Sequence, residues 1–284
     1  MADAHAIIEL VPADLAPGDA KSLDLDCHDF DIARICSSDH PLFGIAFERL
    51  WAQFGAHHTM EARKVIMQRL AWHPASAVGE CWLRYEMILI RRRGQFVAVR
   101  DHTAVVTCRH GLPHALVHLS HVFVDPAWRR TGWAGWLRAW PIQTGRACLA
   151  AAGFFVTSPL TLVAEMDHPD SQYPDRMIRL KAYEKAGFKK VDPILVNYFQ
   201  PDFRPPEEID ASGGPHPLPF ALVIRRVGRE QGQVIEGAEV REIVECLYQV
   251  YGAGFREQDM SGLWHSLEGY PAADAEIRLV PPTQ

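Results

Sequence analysis

VHLSHVFVDPAWRRTGWA, residues 117–134, contains a short apolar strand, a break at an Asp-Pro pair, a basic loop and the opening of a helix. The first N–H groups of a helix have no partner within the helix, and the helix dipole adds partial positive charge there. Gly132 and Ala134 lack the bulk that would keep a ligand from those N–H groups, and Arg129 and Arg130 add charge. The stretch therefore predicts a phosphate site at a fixed distance from the strand before it.

A second motif lies about fifty residues downstream, where the sequence AYEKAGF covers residues 182–188. Between the two motifs, PLTLVAEM (159–166) has the composition of a strand. The pair of motifs resembles the GCN5-related N-acetyltransferase (GNAT) superfamily. Its signature is an apolar strand, then Arg/Gln-x-x-Gly-x-Gly/Ala, and later a helix ending in Tyr-Glu-Lys-x-Gly-Phe. The first motif is here RRTGWA, residues 129–134.

The resemblance implies an α/β fold of the GNAT type. We expect a mixed central β-sheet of about six to seven strands, helices on both faces, splayed central strands and a C-terminal helical extension. It also implies transfer of an acyl group from acyl-CoA, most simply acetyl-CoA, to an amine. Two groups of residues match the cofactor-binding positions of the superfamily: Val122, Phe123 and Val124 for the pantetheine arm and thioester, and Arg129, Arg130, Thr131, Gly132, Trp133 and Ala134 for the pyrophosphate.

His118 is the first candidate for the base that removes a proton from the amine. In some members of the superfamily, counting back from the loop reaches a glutamate or a histidine that acts as base. An imidazole with a pKa near 6.5 suits this task at neutral pH. Side chains alternate along a strand, so positions 118, 120, 122 and 124 should share one face, and Ser120 could relay a proton. His121 should point the other way unless a bulge reverses it.

Two further residues are catalytic candidates. Tyr183 matches the tyrosine that many relatives place near the sulfur of CoA as general acid, and its alternative role is an aromatic packed at a helix end. Glu165, at the end of the strand 159–166, is a second candidate base or an amine-binding carboxylate, and it could equally be a solvated charge at the end of the strand. The asparagine that relatives often have seven residues before the tyrosine is here Arg176, so that contact is in doubt.

Several other site types have no support in the sequence. His110, His114, His118 and His121 suggest a metal cluster, but Gly111 and Pro113 break any helix that would align them, so no metal is predicted. Neither GxxxxGK[ST] nor GxGxxG is present. The net charge of −6 argues against nucleic-acid binding. The six scattered cysteines, with no signal peptide and no apolar run of membrane-spanning length, predict a cytoplasmic protein that does not bind membranes.

Three regions are expected along the chain: an N-terminal extension (1–25), the acyltransferase domain (26–228) and a C-terminal helical extension (229–284). The extension carries an amphipathic stripe from Val240 to Tyr251, which could close the core, cover the active site or form a homodimer. The domain should contain a strand from Phe30, helices within 39–54 and 61–72, a hairpin of strands 85–91 and 95–106, and late strands at 194–200 and 219–227 with a long loop between them. A proline at 141 should kink the helix after the basic loop or begin a second one.

The leading hypothesis is thus direct attack of an amine on the acyl-CoA thioester, since no cysteine lies on the site strands. The acceptor is a small molecule or peptide, and carboxylates in residues 167–175 and 207–210 suggest that it is cationic. Two alternatives belong to other functional classes. A catalytically silent acyl-CoA sensor would keep the residues 129–134 without needing His118 or Tyr183, and a protein-interaction module would have lost acyl-CoA binding altogether.

Overall fold

The structure is a computed structural model and describes residues 10–108 and 112–284. Twelve strands occur in this part of the chain: Phe30–Ile35 (β1), Ala77–Val78 (β2), Cys81–Arg92 (β3), Gln95–Thr107 (β4), His114–His118 (β5), Val122–Val124 (β6), Leu160–Met166 (β7), Lys189–Val191 (β8), Tyr198–Gln200 (β9), Leu218–Arg226 (β10), Val234–Glu236 (β11) and Glu276–Val280 (β12). The α-helices are Phe43–Phe54 (α1), Arg63–Leu70 (α2), Trp133–Ala139 (α3), Pro141–Ala151 (α4), Pro174–Lys185 (α5), Pro206–Ala211 (α6), Gly237–Gly252 (α7) and Glu257–Ser266 (α8).

The strands form one mixed sheet in the order β1-β3-β4-β5-β7-β10-β8-β12-β11, and β2, β6 and β9 pair with β3, β4 and β10. One face packs against α1, α2, α7 and α8, and the other against α3, α4 and α5. The predicted α/β fold is therefore confirmed, with more strands than the expected six to seven. The additional strands are short, and β11 and β12 come from the tail.

The central strands separate as predicted. β5 runs parallel to β7 as far as the pair His118 and Val163, and the N–H of Leu119 donates to the carbonyl of Val163 at 2.7 Å. Beyond that bond the chain continues into β6, which pairs with β4 alone. A gap thus opens between β6 and the end of β7, and this gap is the splay of the sheet.

The helix after the basic loop is interrupted at Pro141, which stands at the first position of α4. Proline has no N–H, so it leaves the carbonyl four residues earlier without its helical partner. That carbonyl belongs to Leu137, and it accepts a hydrogen bond from Nη1 of the buried Arg100 at 2.8 Å. The interruption foreseen from the sequence is a junction of two helices, and the arginine of β4 satisfies the freed carbonyl.

The segment from residue 10 to 26 lies across α3, α4 and α5 rather than away from them. Two ion pairs hold it: Asp14 with Arg146, and Asp19 with Arg138, and both carboxylates are buried. Further along, the hydroxyl of Ser22 donates to the carbonyl of Gly132 at 2.8 Å. We call residues 10–26 the N-terminal strap.

The tail beyond residue 228 packs against the same sheet. The predicted stripe on α7 is buried within the chain, so it closes the core and is not free to form a homodimer interface. Two strands in the tail were not foreseen: β12 pairs with β8, and β11 with β12. The boundaries at residues 25 and 228 stay predictions. In the described ranges, no helix has the length and hydropathy needed to span a bilayer.

Candidate active site

His118 and Glu165 lie side by side at the mouth of the splay. Nε2 of His118 is 2.8 Å from Oε2 of Glu165, and the two side chains are only 2% and 5% exposed. The parallel register places His118 beside Val163, and a residue two positions further along β7 points to the same face. Two candidates named from the sequence, one as base and one as its substitute, therefore form a single hydrogen-bonded pair.

Glu165 accepts three further hydrogen bonds from residues distant in sequence. The hydroxyls of Tyr198 and Tyr251 donate to its two oxygens, and Nε2 of Gln200 donates at 3.3 Å. Burial raises the pKa of Glu165, but His118 and the two hydroxyls outweigh it and hold the pKa below the ordinary value. Burial and the neighbouring Glu165 raise the pKa of both tyrosines well above the usual value, so both remain neutral donors.

This arrangement determines which nitrogen of His118 can accept a proton. An ionised carboxylate only accepts hydrogen bonds, so Nε2 of the imidazole carries the hydrogen that Glu165 receives. In the neutral ring Nδ1 then has a free lone pair. The hydroxyl of Ser120, a half-buried residue, lies 3.4 Å from that nitrogen. The order Ser120, His118, Glu165 is thus a relay for one proton.

A β-bulge lies directly after His118. Thr103 pairs with His118 and Arg100 pairs with Val122, so three residues on one strand oppose two on the other. A one-residue insertion reverses the faces that follow it. The expected common face of positions 118, 120, 122 and 124 is therefore wrong for Val122 and Val124, which pack with the tryptophans of α3 on the opposite side.

The same bulge places His121 on the face of His118, where it contacts Phe54 of α1. Its backbone N–H donates to Oδ1 of Asp101 at 2.7 Å, Nδ1 lies 3.1 Å from both carboxylate oxygens, and Nε2 donates to the carbonyl of Thr59 at 2.8 Å. Burial lowers the pKa of His121, but Asp101 outweighs burial and raises it to about 9. Tyr85 also donates to Asp101, at 2.7 Å. His121 is therefore a fixed imidazolium with both nitrogens occupied.

The backbone of β6 presents free groups to the splay. The N–H of Asp125 donates to the carbonyl of Val97, and the N–H of Asp101 donates to the carbonyl of His121. The hydrogen-bonded residue pair that lies midway between these two bonds is Val99 with Phe123. Alternate residues of an antiparallel strand point their N–H and C=O groups the other way. Those groups of Val122 and Val124 therefore point toward β7, while those of Phe123 point to β4. Among the three predicted thioester-binding positions, the register favours these two valines.

The predicted phosphate loop is exposed at Arg129, Arg130, Thr131 and Ala134. Arg130 and Gly132 both have positive φ, of 66° and 106°, which turns the chain sharply into α3. Neither arginine forms an ion pair with any residue that the structure describes. Trp133 is fully buried, so its indole cannot reach a ligand. The N-terminal strap packs on one side of this turn, since a Cβ on Gly132 would lie 3.2 Å from the carbonyl of Lys21.

Tyr183 lies on the opposite face of the sheet from His118. It is 7% exposed, packs edge-on against Phe188 at 4.8 Å, and has the guanidinium of Arg138 5.4 Å from its ring centre. Within the described residues, no hydrogen bond joins Tyr183 to the His118–Glu165 pair. Its function as general acid stays a prediction.

A cavity of about 310 Å³ lies on the face of His118, between the α1–α2 loop, α6 and the α7–α8 junction. Phe203 and Phe255 line it and pack against the ring of Tyr251, with ring centres 5.7 and 6.1 Å away. His118 packs against the same tyrosine at 5.8 Å. Tyr251 does not itself line the cavity, so a phenylalanine of the wall and then Tyr251 separate the cavity from the His118–Glu165 pair.

The sequence pointed to two further groups, four histidines and a set of loop carboxylates. In residues 10–108 and 112–284, no set of three or more His, Cys, Asp or Glu side chains is arranged to hold a metal ion. His110 lies outside those ranges, and His114 bonds instead to Thr161 at 3.1 Å. Three of the carboxylates suggested for a cationic acceptor form ion pairs, Asp167 and Asp170 with Arg176 and Asp210 with Arg256, and the cationic acceptor stays a prediction.

Tyr198, Gln200 and Tyr251 were not named as site residues from the sequence. Tyr198 and Gln200 belonged to a predicted strand, and Tyr251 to the α7 stripe that was expected to close the core, cover the active site or form a dimer. The possibility that α7 covers the active site was the only indication in the sequence that Tyr251 belongs to that site. Its hydroxyl shows that α7 covers the site as well as the core.

No protein-family profile and no curated protein matches the chain. Among solved structures, the chain is similar to an aminoglycoside acetyltransferase from an uncultured soil metagenomic sample, with 14% identity over 55% of this chain and 89% of that one and a TM-score of 0.34. It is also similar to Escherichia coli ElaA (14%, 69% and 99%, 0.34) and to a tandem GNAT protein from the clavulanic acid biosynthesis pathway (20%, 57% and 45%, 0.35). The last bears the name of the superfamily that the two motifs resemble. With TM-scores this low, the fold assignment rests on the strand order and the splay.

Proposed function

We propose that this protein is an acyl-CoA-dependent N-acyltransferase, most simply using acetyl-CoA, that transfers the acyl group directly to an amine. The observation that carries the proposal is the buried His118–Glu165 pair beside the splay, with Nδ1 of His118 directed at Ser120 rather than at a carboxylate. A buried, oriented imidazole with one free nitrogen is what proton removal from an amine requires.

The phosphate loop would hold the pyrophosphate of the acyl donor. The first N–H groups of α3 have no partner within the helix, and the two exposed arginines place positive charge beside them. The residues present thus fit a phosphate group. The N-terminal strap limits access from the side of Gly132 and Gly135, while Thr131 and Ala134 stay exposed.

The splay would hold the thioester arm. The N–H groups of Val122 and Val124 point into the splay. The N–H of Glu165 also points into it, because Glu165 lies two residues beyond Val163, whose carbonyl accepts the last hydrogen bond between β5 and β7. Glu165 as a residue is half-buried although its side chain is not exposed, so its accessible part is the backbone. These donors are suitable for hydrogen bonds to the amide groups and the carbonyl of the arm.

The His118–Glu165 pair would then act on the amine. Nδ1 of His118 takes a proton from the attacking nitrogen, directly or through the hydroxyl of Ser120, and Glu165 stabilises the imidazolium that results. General-base catalysis of this kind contributes roughly 10²- to 10⁴-fold to the rate. The thiolate leaves with a proton from Tyr183, a role that we propose from the motif alone.

Two measurements test the proposal against its alternatives. Calorimetry with acetyl-CoA should show binding that weakens when Arg129 and Arg130 are both changed to Ala; absence of binding at millimolar acetyl-CoA would leave only the interaction module. A thiol-release assay with an amine library should then show turnover. Binding without turnover for every amine would favour the acyl-CoA sensor and exclude the enzyme.

A further inference from the structure

The cavity beside Tyr251 has the size of a small organic molecule. At roughly 30 Å³ for each water-sized group, a volume of about 310 Å³ holds about ten non-hydrogen atoms. Its walls are mainly apolar, and these side chains form them: Trp51, Met60, Val65, Phe203, Ile209 and Phe255. A ligand of this site therefore has a compact apolar body.

The two arginines that line the cavity are already neutralised. Arg204 donates three hydrogen bonds to Asp202, the shortest at 2.6 Å, and Arg256 donates to both Asp259, at 2.6 Å, and Asp210, at 2.8 Å. Neither guanidinium has an excess of positive charge to offer an anion. This argues against an anionic ligand.

Glu61 is different from the other carboxylates at the cavity. Its side chain lines the cavity and is 2% exposed. Nη2 of Arg69 is in ion-pair contact with Oε1 of Glu61, although without the geometry of a hydrogen bond, and Nε and Nη1 of Arg69 have no acceptor. No other described residue donates a hydrogen bond to Glu61. A buried carboxylate with unused acceptor capacity requires a donor.

The charged side chains around the cavity have a net negative charge, which favours a cationic ligand. Four carboxylates stand against three guanidinium groups in this cluster: Glu61, Asp202, Asp210 and Asp259 against Arg69, Arg204 and Arg256. One positive charge would balance the set. A primary ammonium group also supplies the N–H donors that Glu61 lacks.

We propose that this cavity binds a small primary amine with an apolar body, held as its ammonium ion by Glu61. The identification of this ligand as the acyl acceptor rests on the proposed function, since a phenylalanine of the cavity wall and Tyr251 lie between the cavity and the His118–Glu165 pair. The amine-binding site itself does not depend on catalysis.

The test uses 2-phenylethylamine and its neutral analogue 2-phenylethanol, titrated into the full-length protein by calorimetry at pH 7.5 without acyl-CoA. The amine should bind with saturation below 10 mM, and the alcohol at least tenfold more weakly. Glu61→Gln should weaken the amine at least tenfold and leave the alcohol unchanged. The control Glu207→Gln, an exposed carboxylate of α6 outside the cavity, should bind the amine as wild type does.

A second variant covers the case in which Glu61→Gln does not fold. Ala62→Trp, at the exposed rim, fills the cavity without touching the Glu61–Arg69 contact, and should abolish binding of both compounds. Equal affinities for amine and alcohol, unchanged binding in Glu61→Gln, or no saturation by the amine would each overturn the proposal. Saturable, Glu61-dependent binding, together with no transfer to any amine in the thiol-release assay, would uphold the site and refute the proposed enzyme.

Discussion

Two histidine–carboxylate pairs lie on the same face of the sheet, and their histidines are three residues apart in sequence. They differ in how many ring nitrogens of the histidine are occupied by strong hydrogen-bond partners. His121 uses both ring nitrogens, one on Asp101 and the other on the carbonyl of Thr59. His118 gives one nitrogen to Glu165 and keeps the other beside a serine hydroxyl at 3.4 Å. The first ring is a cation up to a pH of about 9. The second has one nitrogen that neither a carboxylate nor a carbonyl occupies.

This difference indicates that the two pairs have separate roles. His121 joins the bulge to β4 through its N–H, which donates to Asp101, and to the α1–α2 loop that lines the cavity through Nε2, which donates to Thr59. Its loss should therefore affect stability and geometry. His118 is held by a carboxylate that is itself fixed by two tyrosines, so its loss should affect the rate. The comparison predicts opposite outcomes in kinetics and in unfolding for the two histidines.

The largest expected effect is on turnover in His118→Ala. Removing the base should lower kcat by roughly 10²- to 10⁴-fold, while acetyl-CoA binding measured by calorimetry stays within a factor of about three. The assay is thiol release with an amine found active on wild type, followed across pH. An unchanged kcat and an unchanged pH–rate profile would remove His118 as the base. His28→Ala, at an exposed histidine, is the matched control.

Next in size is the loss of stability in His121→Leu. The substitution leaves Asp101 buried without its charge partner, which should lower the free energy of unfolding by about 3–5 kcal/mol. The double variant Asp101→Leu/His121→Leu removes both charges and should recover part of that loss. Urea unfolding measures both. If His121→Leu were as stable as wild type, the pair would not have the structural role that its four contacts suggest.

Most of the fold was predictable because its signals are local. The basic loop, the hairpin turn at Arg93 and Gly94, and the left-handed cap at Gly187 are each short stretches with their own conformational signature. The strands that were missed, β2, β8, β11 and β12, are two to five residues long and lack a sustained alternation of polar and apolar residues. α6 was hidden in a loop rich in proline and glycine, although Pro206 stands at its first position.

The site was predictable only in part because its contacts are not local. His118 and Glu165 were both named, but as alternatives, and only the strand register shows that they are partners. Tyr251 is 86 residues from the carboxylate that it bonds, and no sequence spacing predicts such a contact. A bulge was expected only as an exception that would reverse the face to which His121 points. HLSH contains no glycine or proline to mark it, yet one extra residue reverses every face that follows.

A smaller effect, on stability against pH, separates the two histidines again. The pKa of His121 is 6.5 in the unfolded chain and about 9 in the folded protein, because Asp101 outweighs burial. The folded state holds this proton more tightly, so its contribution is complete below pH 6.5 and is lost as pH rises through 9. That loss should reach up to about 3 kcal/mol by urea unfolding. The same titration should be flat between pH 6.5 and 9 in His121→Leu, and an equal slope in both proteins would contradict the assignment.

The smallest expected effect is in Ser120→Ala. The hydroxyl lies at the outer limit of a hydrogen bond to His118, so a relay through it is replaceable by water, and kcat should fall by no more than about tenfold. Thiol release with the wild-type substrate measures this, and Ser120→Thr should retain activity nearer to wild type because it keeps a hydroxyl at that position. A loss as large as that of His118→Ala would instead make Ser120 indispensable. It would point to an acyl-serine intermediate, detectable as an added acetyl mass on the intact protein, and would replace direct transfer by a two-step mechanism.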